Sequence, residues 1–321
     1  MTYSIIIPHK NIPKLLQRCL DSIPQRSDLE VIVVDDNSDP EIVDLEHFPG
    51  QERSDITVIF DKSGKGAGRA RNIGLAHAKG KWLLFADADD FFTYCLNDVL
   101  DEYADCEKDI IFFKACSVDS EYYTNSDRAN WRNICLTKYI TNPLIEEPVL
   151  RYVISEPWGK LIRHSIINKH EIMFQETTIA NDVMFSYLSG YYAKSIAVDA
   201  RGLYCVTNRI ESISNTLTAE KIVDRAKVLA ERERFFLDNR LPVTGVQISI
   251  SELIMLIGQG KKTVLNKCLD AFESFNIPVY EMIEEEKKKR KRSQRQERVN
   301  QRLSKIRKTG GKIIRAILNR L

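Results

Sequence analysis

Short apolar runs and helix-spaced apolar positions alternate through the first third of the chain. "YSIIIP" near the N-terminus is a continuous apolar run, the pattern of a strand buried on both faces. Residues 12–23, "IPKLLQRCLDSI", repeat apolar side chains at helical spacing through Leu15, Leu16, Cys19, Leu20 and Ile23. "EVIVVDD" and "ITVIF" read as a second and third strand, "GAGRARNIGLAHAKG" as a helix with Gly-rich ends, and "KWLLFAD" as a fourth strand. A helix from about Thr93 to Cys106 and the strand "DIIFF" follow. Strands that alternate with helices predict an α/β domain with a mostly parallel central sheet. In such sheets ligands sit at the carboxyl ends of the strands, where this chain carries "PHKN", "DDNSD" and "DADD".

The pattern then changes. Residues 120–215 are irregular, with polar and aromatic clusters such as "SEYYTNSDRANW" and "EPWGKLIRHSI". "TAEKIVDRAKVLAERERFFLDN" predicts an amphipathic helix inside a helical region, and from Glu284 onward charge dominates. The chain is expected to divide into 1–215, with halves 1–115 and 116–215, a helical extension at 216–283, and a basic tail at 284–321.

Charge sharpens that division. The net charge of +2 conceals a tail whose residues 287–321 hold 15 Lys and Arg against Glu297 alone, leaving −12 on residues 1–286. Ile313, Ile314, Ile317, Leu318 and Leu321 share a face at helical spacing. That combination suits an interfacial helix on an anionic membrane. A solvated helix docking on protein fits the same pattern. Nucleic acid is disfavoured, because the tail has no aromatic side chain for stacking. The seven cysteines are scattered without a C-x-x-C pair, so reduced core residues are expected rather than zinc ligands or disulfides. "MTYSIIIPHK" has neither a basic n-region nor a long apolar run, so no signal peptide or membrane span is expected there.

Three aspartates in four positions, Asp87, Asp89 and Asp90, directly follow an apolar run. Their mutual repulsion requires a compensating cation or hydrogen-bond donors. Hard carboxylate oxygens suit Mg or Mn, and a helix N-cap or solvated turn is the structural alternative. Asp35 and Asp36 end a strand in the same way, as a base-binding turn or a plain Asx-turn. The glycines of "SGKGAGRARN" complete neither a phosphate-loop nor a dinucleotide motif. Arg69 and Arg71 on the next helix are the better phosphate or base partners.

In their order, "SIIIPHKN", "VIVVDDNSD" and "GAGRARNIGLAHAKGKWLLFADADD" closely resemble family 2 glycosyltransferases of the GT-A fold. The resemblance is strong over the first 115 residues and looser from "EPWGKLIRHSII" to "NRIESIS". It implies an inverting transfer from a nucleotide-sugar donor, UDP-linked by preference, with Mn or Mg bound by Asp89 and Asp87. It places Pro8, Asp35, Asp36, Arg71 and Asp87 at the nucleotide-sugar, with Asp90 structural. "PWGKL" puts Trp158 and Lys160 beside donor sugar and acceptor, and "NRIESIS" puts Arg209 and Ser212 at the diphosphate. The family's catalytic Glu-Asp pair reads Asn181-Asp182 here, which makes Asp182 the expected base, with Glu176 upstream as a substitute for the missing Glu. Asp182 also has a plain reading, as the N-cap of the helix that follows.

The expected role is surface-polysaccharide synthesis on a glycan or lipid-linked acceptor. The expected location is the cytoplasm, with the tail on the inner face of the cell membrane. A sugar nucleotidyltransferase would want a Gly-rich, Arg-containing loop where this chain has "PHKNIPK". A non-catalytic nucleotide-sugar-binding scaffold is the alternative that Asn181 favours.

Overall fold

The computed structural model describes residues 1–209, 218–241, 262–285, 287–288, 291–293 and 295. It contains two compact units, Met1–Gly245 and Val246–Leu321.

The first unit is built on an eight-stranded sheet. Its strands are β1 (Tyr3–His9), β2 (Leu29–Asp36), β3 (Ile56–Asp61), β4 (Trp82–Phe85), β5 (Phe91–Phe92), β6 (Ile110–Asp119), β7 (Lys160–Arg163) and β8 (Ile196–Asn208). The spatial order is β3-β2-β1-β4-β7-β6-β8-β5. β1 pairs parallel with β2 and β4, β2 with β3, and β6 with β8. β7 is antiparallel to both β4 and β6, and β5 to β8, so only these two short strands run against the rest. The mostly parallel α/β sheet expected from the sequence is borne out.

Every residue of β1 is buried because helices cover both faces of the sheet. Tyr3, Ile5 and Ile7 pack with Leu16, Cys19 and Leu20 of α1 (Pro13–Asp21) and Val99 and Leu100 of α3 (Leu96–Tyr103). The opposite face carries Ile6, Leu83 and Phe85. They pack with Leu75 of α2 (Ala67–His77), Leu136 of α4 (Asn130–Thr141), Leu150 of α5 (Pro143–Tyr152), Ile167 of α6 (His164–Lys169) and Phe185 of α7 (Val183–Tyr192). The long helix α8 (Ala219–Asp238) packs Val228 and Phe236 against Tyr152, Val183 and Tyr187 in this same unit. Thr218 caps α8 by accepting from the Lys221 N–H.

Two local departures from the sequence reading have simple causes. The helix expected from Thr93 begins at Leu96, because Phe91 and Phe92 pair with Cys205 and Tyr204 as β5. None of the three aspartates caps it; Cys95 occupies the cap position without a side-chain bond.

In the second unit, α9 (Lys262–Ser274) buries Cys268, Leu269 and Phe272. The apolar face at Ile313–Leu321 lies outside the described residues, as does Ser212. Among the described residues no helix is long and apolar enough to cross a membrane.

Candidate active site at the carboxyl ends of the strands

A cleft of about 930 Å³ opens where β1, β2 and β4 end. Its walls include Pro8, Asp36, Arg71, Asp87, Asp89, Asp182 and Arg209 among the residues singled out from the sequence. That volume suits a ligand of nucleotide-sugar size.

The β2 end divides labour between its two aspartates. Asp35 is buried, and its carboxylate accepts from Ser38 N–H (2.9 Å), Ser38 Oγ (2.5 Å) and His9 Nδ1 (2.8 Å). The tautomer of His9 follows from its other nitrogen, Nε2, which accepts from the Ile12 N–H at 3.1 Å. Burial raises the Asp35 pKa, but the His9 and Ser38 bonds outweigh it and hold the carboxyl below its usual range. Asp35 therefore locks the turn from behind and is not part of the cleft wall. Asp36 faces the cleft, accepting from Gly66 N–H at 3.0 Å and pairing with Lys10 Nζ at 3.2 Å. Gly66 has φ 92° and leads directly into α2.

Protein groups balance the three aspartates after β4. Arg71 Nη2 donates to Asp87 Oδ1 at 2.6 Å, and Arg209 Nε to Asp89 Oδ2 at 2.9 Å. Asp90 is buried and accepts from the Thr207 N–H at 2.6 Å. Burial and the neighbouring Asp87 raise the pKa of Asp89 against the pull of Arg209, and burial raises that of Asp90 well above normal. The backbone of the segment is held as firmly. Asp87 N–H donates to Tyr204 Oη (2.8 Å), while the Asp89 carbonyl accepts from Arg18 Nη2 (2.5 Å) and Thr207 Oγ1 (2.7 Å).

The described residues contain no cluster of three or more His, Cys, Asp or Glu able to hold a metal. Asp87 and Asp89 supply carboxylates on the cleft wall, each with one oxygen engaged by an arginine. Mg and Mn sites of this kind use one or two carboxylates and draw their other ligands from water and substrate phosphates. The donor set fits a metal that arrives with a diphosphate.

The far wall is the loop 175–182. Gly68 of α2 lies so close to it that a Cβ there would stand 2.0 Å from the Gln175 carbonyl oxygen. Asp182 holds the N-cap position of α7, yet its side chain makes no capping bond. Burial raises its pKa to about 6, opposed by Arg71. Asn181 accepts from Arg71 Nη1 at 2.7 Å. One guanidinium thus joins the two walls. Glu176 also lines the cleft, within ion-pair reach of Arg69 (3.5 Å) and Lys65 (4.0 Å).

Trp158 and Lys160 are buried and are not among the residues lining the cleft. Trp158 stacks on Tyr204 with centroids 5.3 Å apart, which puts it behind the Asp87 backbone. Lys160 Nζ donates to the Ile154 carbonyl at 2.9 Å, and burial, aided by Arg132, lowers its pKa to about 7. The sequence reading missed Lys10, Gly66, Arg128, Thr177, Thr178 and Lys221 on the wall. Lys10 and Gly66 adjoin recognised motifs, whereas Arg128 and Lys221 carry no local signal.

Residues 4–164, half of the chain, match the family model described as Glycosyl transferase family 2. The uncharacterized glycosyltransferase EpsJ of Bacillus subtilis (strain 168) is 26% identical over 218 residues, 66% of this chain and 62% of that protein. The chain therefore spans less than two thirds of EpsJ. EpsH of the same strain, also named as a glycosyltransferase, is 24% identical over 79% of this chain and 74% of its own. Among solved structures, S. aureus TarS 1-349 in complex with UDP-GlcNAc superposes with a TM-score of 0.53 at 19% identity, covering 86% of this chain and 92% of that one. That likeness is one of fold, and it agrees with the GT-A architecture expected from the motifs. With its strand-end motifs gathered around one cleft and its first half matched by the family model, the chain belongs to glycosyl transferase family 2.

Proposed function

We propose that this chain is an inverting glycosyltransferase that moves a sugar from a nucleotide-sugar donor, UDP-linked, to a glycan or lipid-linked acceptor in surface-polysaccharide synthesis. The observation that carries this reading is a single cleft with Asp87, Asp89 and Arg71 on one wall and Asp182 on the other. The acceptor hydroxyl oxygen attacks the anomeric carbon as the bond to the diphosphate oxygen breaks, inverting that carbon. Asp182 takes the hydroxyl proton, and the nucleoside diphosphate leaves. Asp36, beside the Gly66 loop, is the base-side contact. Arg209 and Arg71 orient the diphosphate as well as the two aspartates. A Mn or Mg ion held by Asp89 and Asp87 would act as a Lewis acid toward the leaving charge. Trp158 and Lys160 support the site from behind.

Calorimetric titration with UDP, with and without Mn, tests the donor side. The wild type is expected to bind with metal dependence that Asp89→Ala removes; equal affinity in the variant overturns the metal assignment. Turnover on a panel of nucleotide sugars tests the enzyme reading. Donor binding with neither hydrolysis nor transfer would assign the chain to a non-catalytic nucleotide-sugar-binding role.

The basic tail, which follows the second unit's α9 in sequence, is proposed to hold the protein on an anionic membrane surface at the cytoplasmic face. Each Lys or Arg near such a surface contributes up to about 1 kcal/mol, reduced by salt. The full chain should sediment with anionic vesicles at low salt, and a chain ending at Ile283 should not. Absence of vesicle binding by the full chain would turn the tail into a protein-docking element.

A further inference from the structure

Cys116 on β6 and Cys205 on β8 are direct partners in the parallel register of the two strands. Strand neighbours lie about 4.7–4.9 Å apart, inside the roughly 4.4–6.8 Å Cα separation that a disulfide bridges. Both are free thiols, Cys116 exposed and Cys205 buried. Cys116 Sγ donates to the carbonyl of Tyr204, the residue before Cys205, at 3.6 Å, which holds it beside its strand partner. The adjoining Cys205 thiol favours the Cys116 thiolate and brings its pKa down to about 7, whereas Cys116 and then burial push Cys205 up.

What surrounds Cys205 gives the pair a consequence. Its neighbour Tyr204 accepts the Asp87 N–H, and Thr207 two residues on holds the Asp89 carbonyl and the Asp90 carboxylate. On its other side β8 pairs Cys205 with Phe91, whose ring lies beneath the Arg18 guanidinium that also grips Asp89. A change of strand geometry at Cys205 therefore reaches the Asp87–Asp90 segment through at least three bonds.

We infer that Cys116 and Cys205 form a reversible, peroxide-sensitive dithiol pair whose oxidation to a disulfide weakens donor binding. The Cys116 thiolate attacks one oxygen of hydrogen peroxide, the O–O bond breaks, and Cys116 becomes a sulfenic acid as hydroxide leaves. Cys205 then attacks the sulfenic sulfur. The S–S bond forms, the S–O bond breaks, and the departing hydroxide takes the Cys205 thiol proton as water. Two thiols give up two electrons and two protons in all, and the peroxide becomes two waters. An exposed sulfur of this kind belongs to the reducible class of disulfides, so a dithiol reductant reverses the step. Among the described cysteines of the first unit, Cys19, Cys95 and Cys135 are buried and Cys106 is only partly exposed, so Cys116 is the exposed sulfur of that group. The effect on binding rests on the donor-site reading above, whereas formation of the cross-link does not.

The test uses the full chain treated with hydrogen peroxide, free thiols then being blocked and the digest weighed. The expected product is a peptide pair joined through Cys116 and Cys205 that dithiothreitol separates. Recovery of Cys116 as a blocked thiol, as a sulfinic acid, or joined to another cysteine overturns the pair. UDP titration in the presence of Mn is then compared before and after oxidation. Wild-type affinity should fall about tenfold, the effect of displacing one hydrogen bond to an ionised group, and should recover on reduction. Cys116→Ser, at an exposed position, should bind like the reduced wild type under both conditions. A cross-linked protein with unchanged affinity overturns the coupling to the donor site. A reduced protein that binds no UDP counts against the donor-site reading and leaves the mass result standing.

Discussion

Arg71 reaches Asp87 with Nη2 at 2.6 Å and Asn181 with Nη1 at 2.7 Å, so one side chain on α2 spans the gap between the end of β4 and the loop before α7. Its guanidinium also lies over the Phe174 ring at 5.4 Å. Asn181 presents a neutral carbonyl to this cation, so Asp87 is the charged partner of the two.

Arg71→Ala should lower UDP affinity by about 1.5–3 kcal/mol, the range for a hydrogen bond to a charged group. Arg71→Lys should fall between the variant and the wild type, because an ammonium keeps the charge but lacks the fork that serves both walls. Calorimetry checks both; wild-type affinity in Arg71→Ala would show that the bridge is irrelevant to the donor.

Asp182, as the proposed base, sets the expected pH profile. A base acts in its deprotonated form, and burial raises this carboxyl to about 6. The ratio kcat/KM should therefore be flat above about pH 6 and fall about tenfold per unit below it. Asp182→Asn should lose roughly 10²-fold or more in turnover while UDP affinity is kept, since the base acts on the acceptor. Surviving turnover would shift the role to Glu176.

Asp90 gives a stability prediction of the opposite sign to that of an ordinary paired carboxylate. Its pKa is raised in the folded chain, chiefly by burial and then by Asp87, so the folded state holds its proton more tightly than the unfolded one. Stability associated with Asp90 is present below the unfolded carboxylate pKa and is lost as pH rises through the raised folded value. Asp90→Asn keeps an oxygen for the Thr207 N–H and removes the buried charge. Its Tm at neutral pH should equal or exceed that of the wild type, with the gap closing as pH falls. A markedly lower Tm at neutral pH would mean that the ionised form is needed.

The strand-end motifs were legible because each is local: an apolar run fixes the strand, and the residues just beyond it must lie at the sheet's carboxyl edge. Pro8, Asp36, Asp87 and Asp89 could be placed in that way. Asp35 shows the limit of such reasoning, because adjacent residues at a strand end face opposite sides, and burial against His9 and Ser38 is a property of the fold. Trp158 and Lys160 shared a motif but not a surface. Gly159 between them has φ 63°, a backbone turn that no apolar pattern reveals.

The sequence by itself determined the alternation of strand and helix, the location of the polar chemistry, and the charge contrast between body and tail, since these depend on residue type and short-range spacing. Tertiary structure alone decided which charges meet. Arg71 lies 16 residues from Asp87 and 110 from Asn181, and Arg209 lies 120 from Asp89. Only the sheet order, which sets β8 beside β6 and closes loop 175–182 onto α2, brings those side chains within hydrogen-bond range. Hydrogen bonds act over about 3 Å, so partners far apart in the chain are chosen by the packing of the whole core.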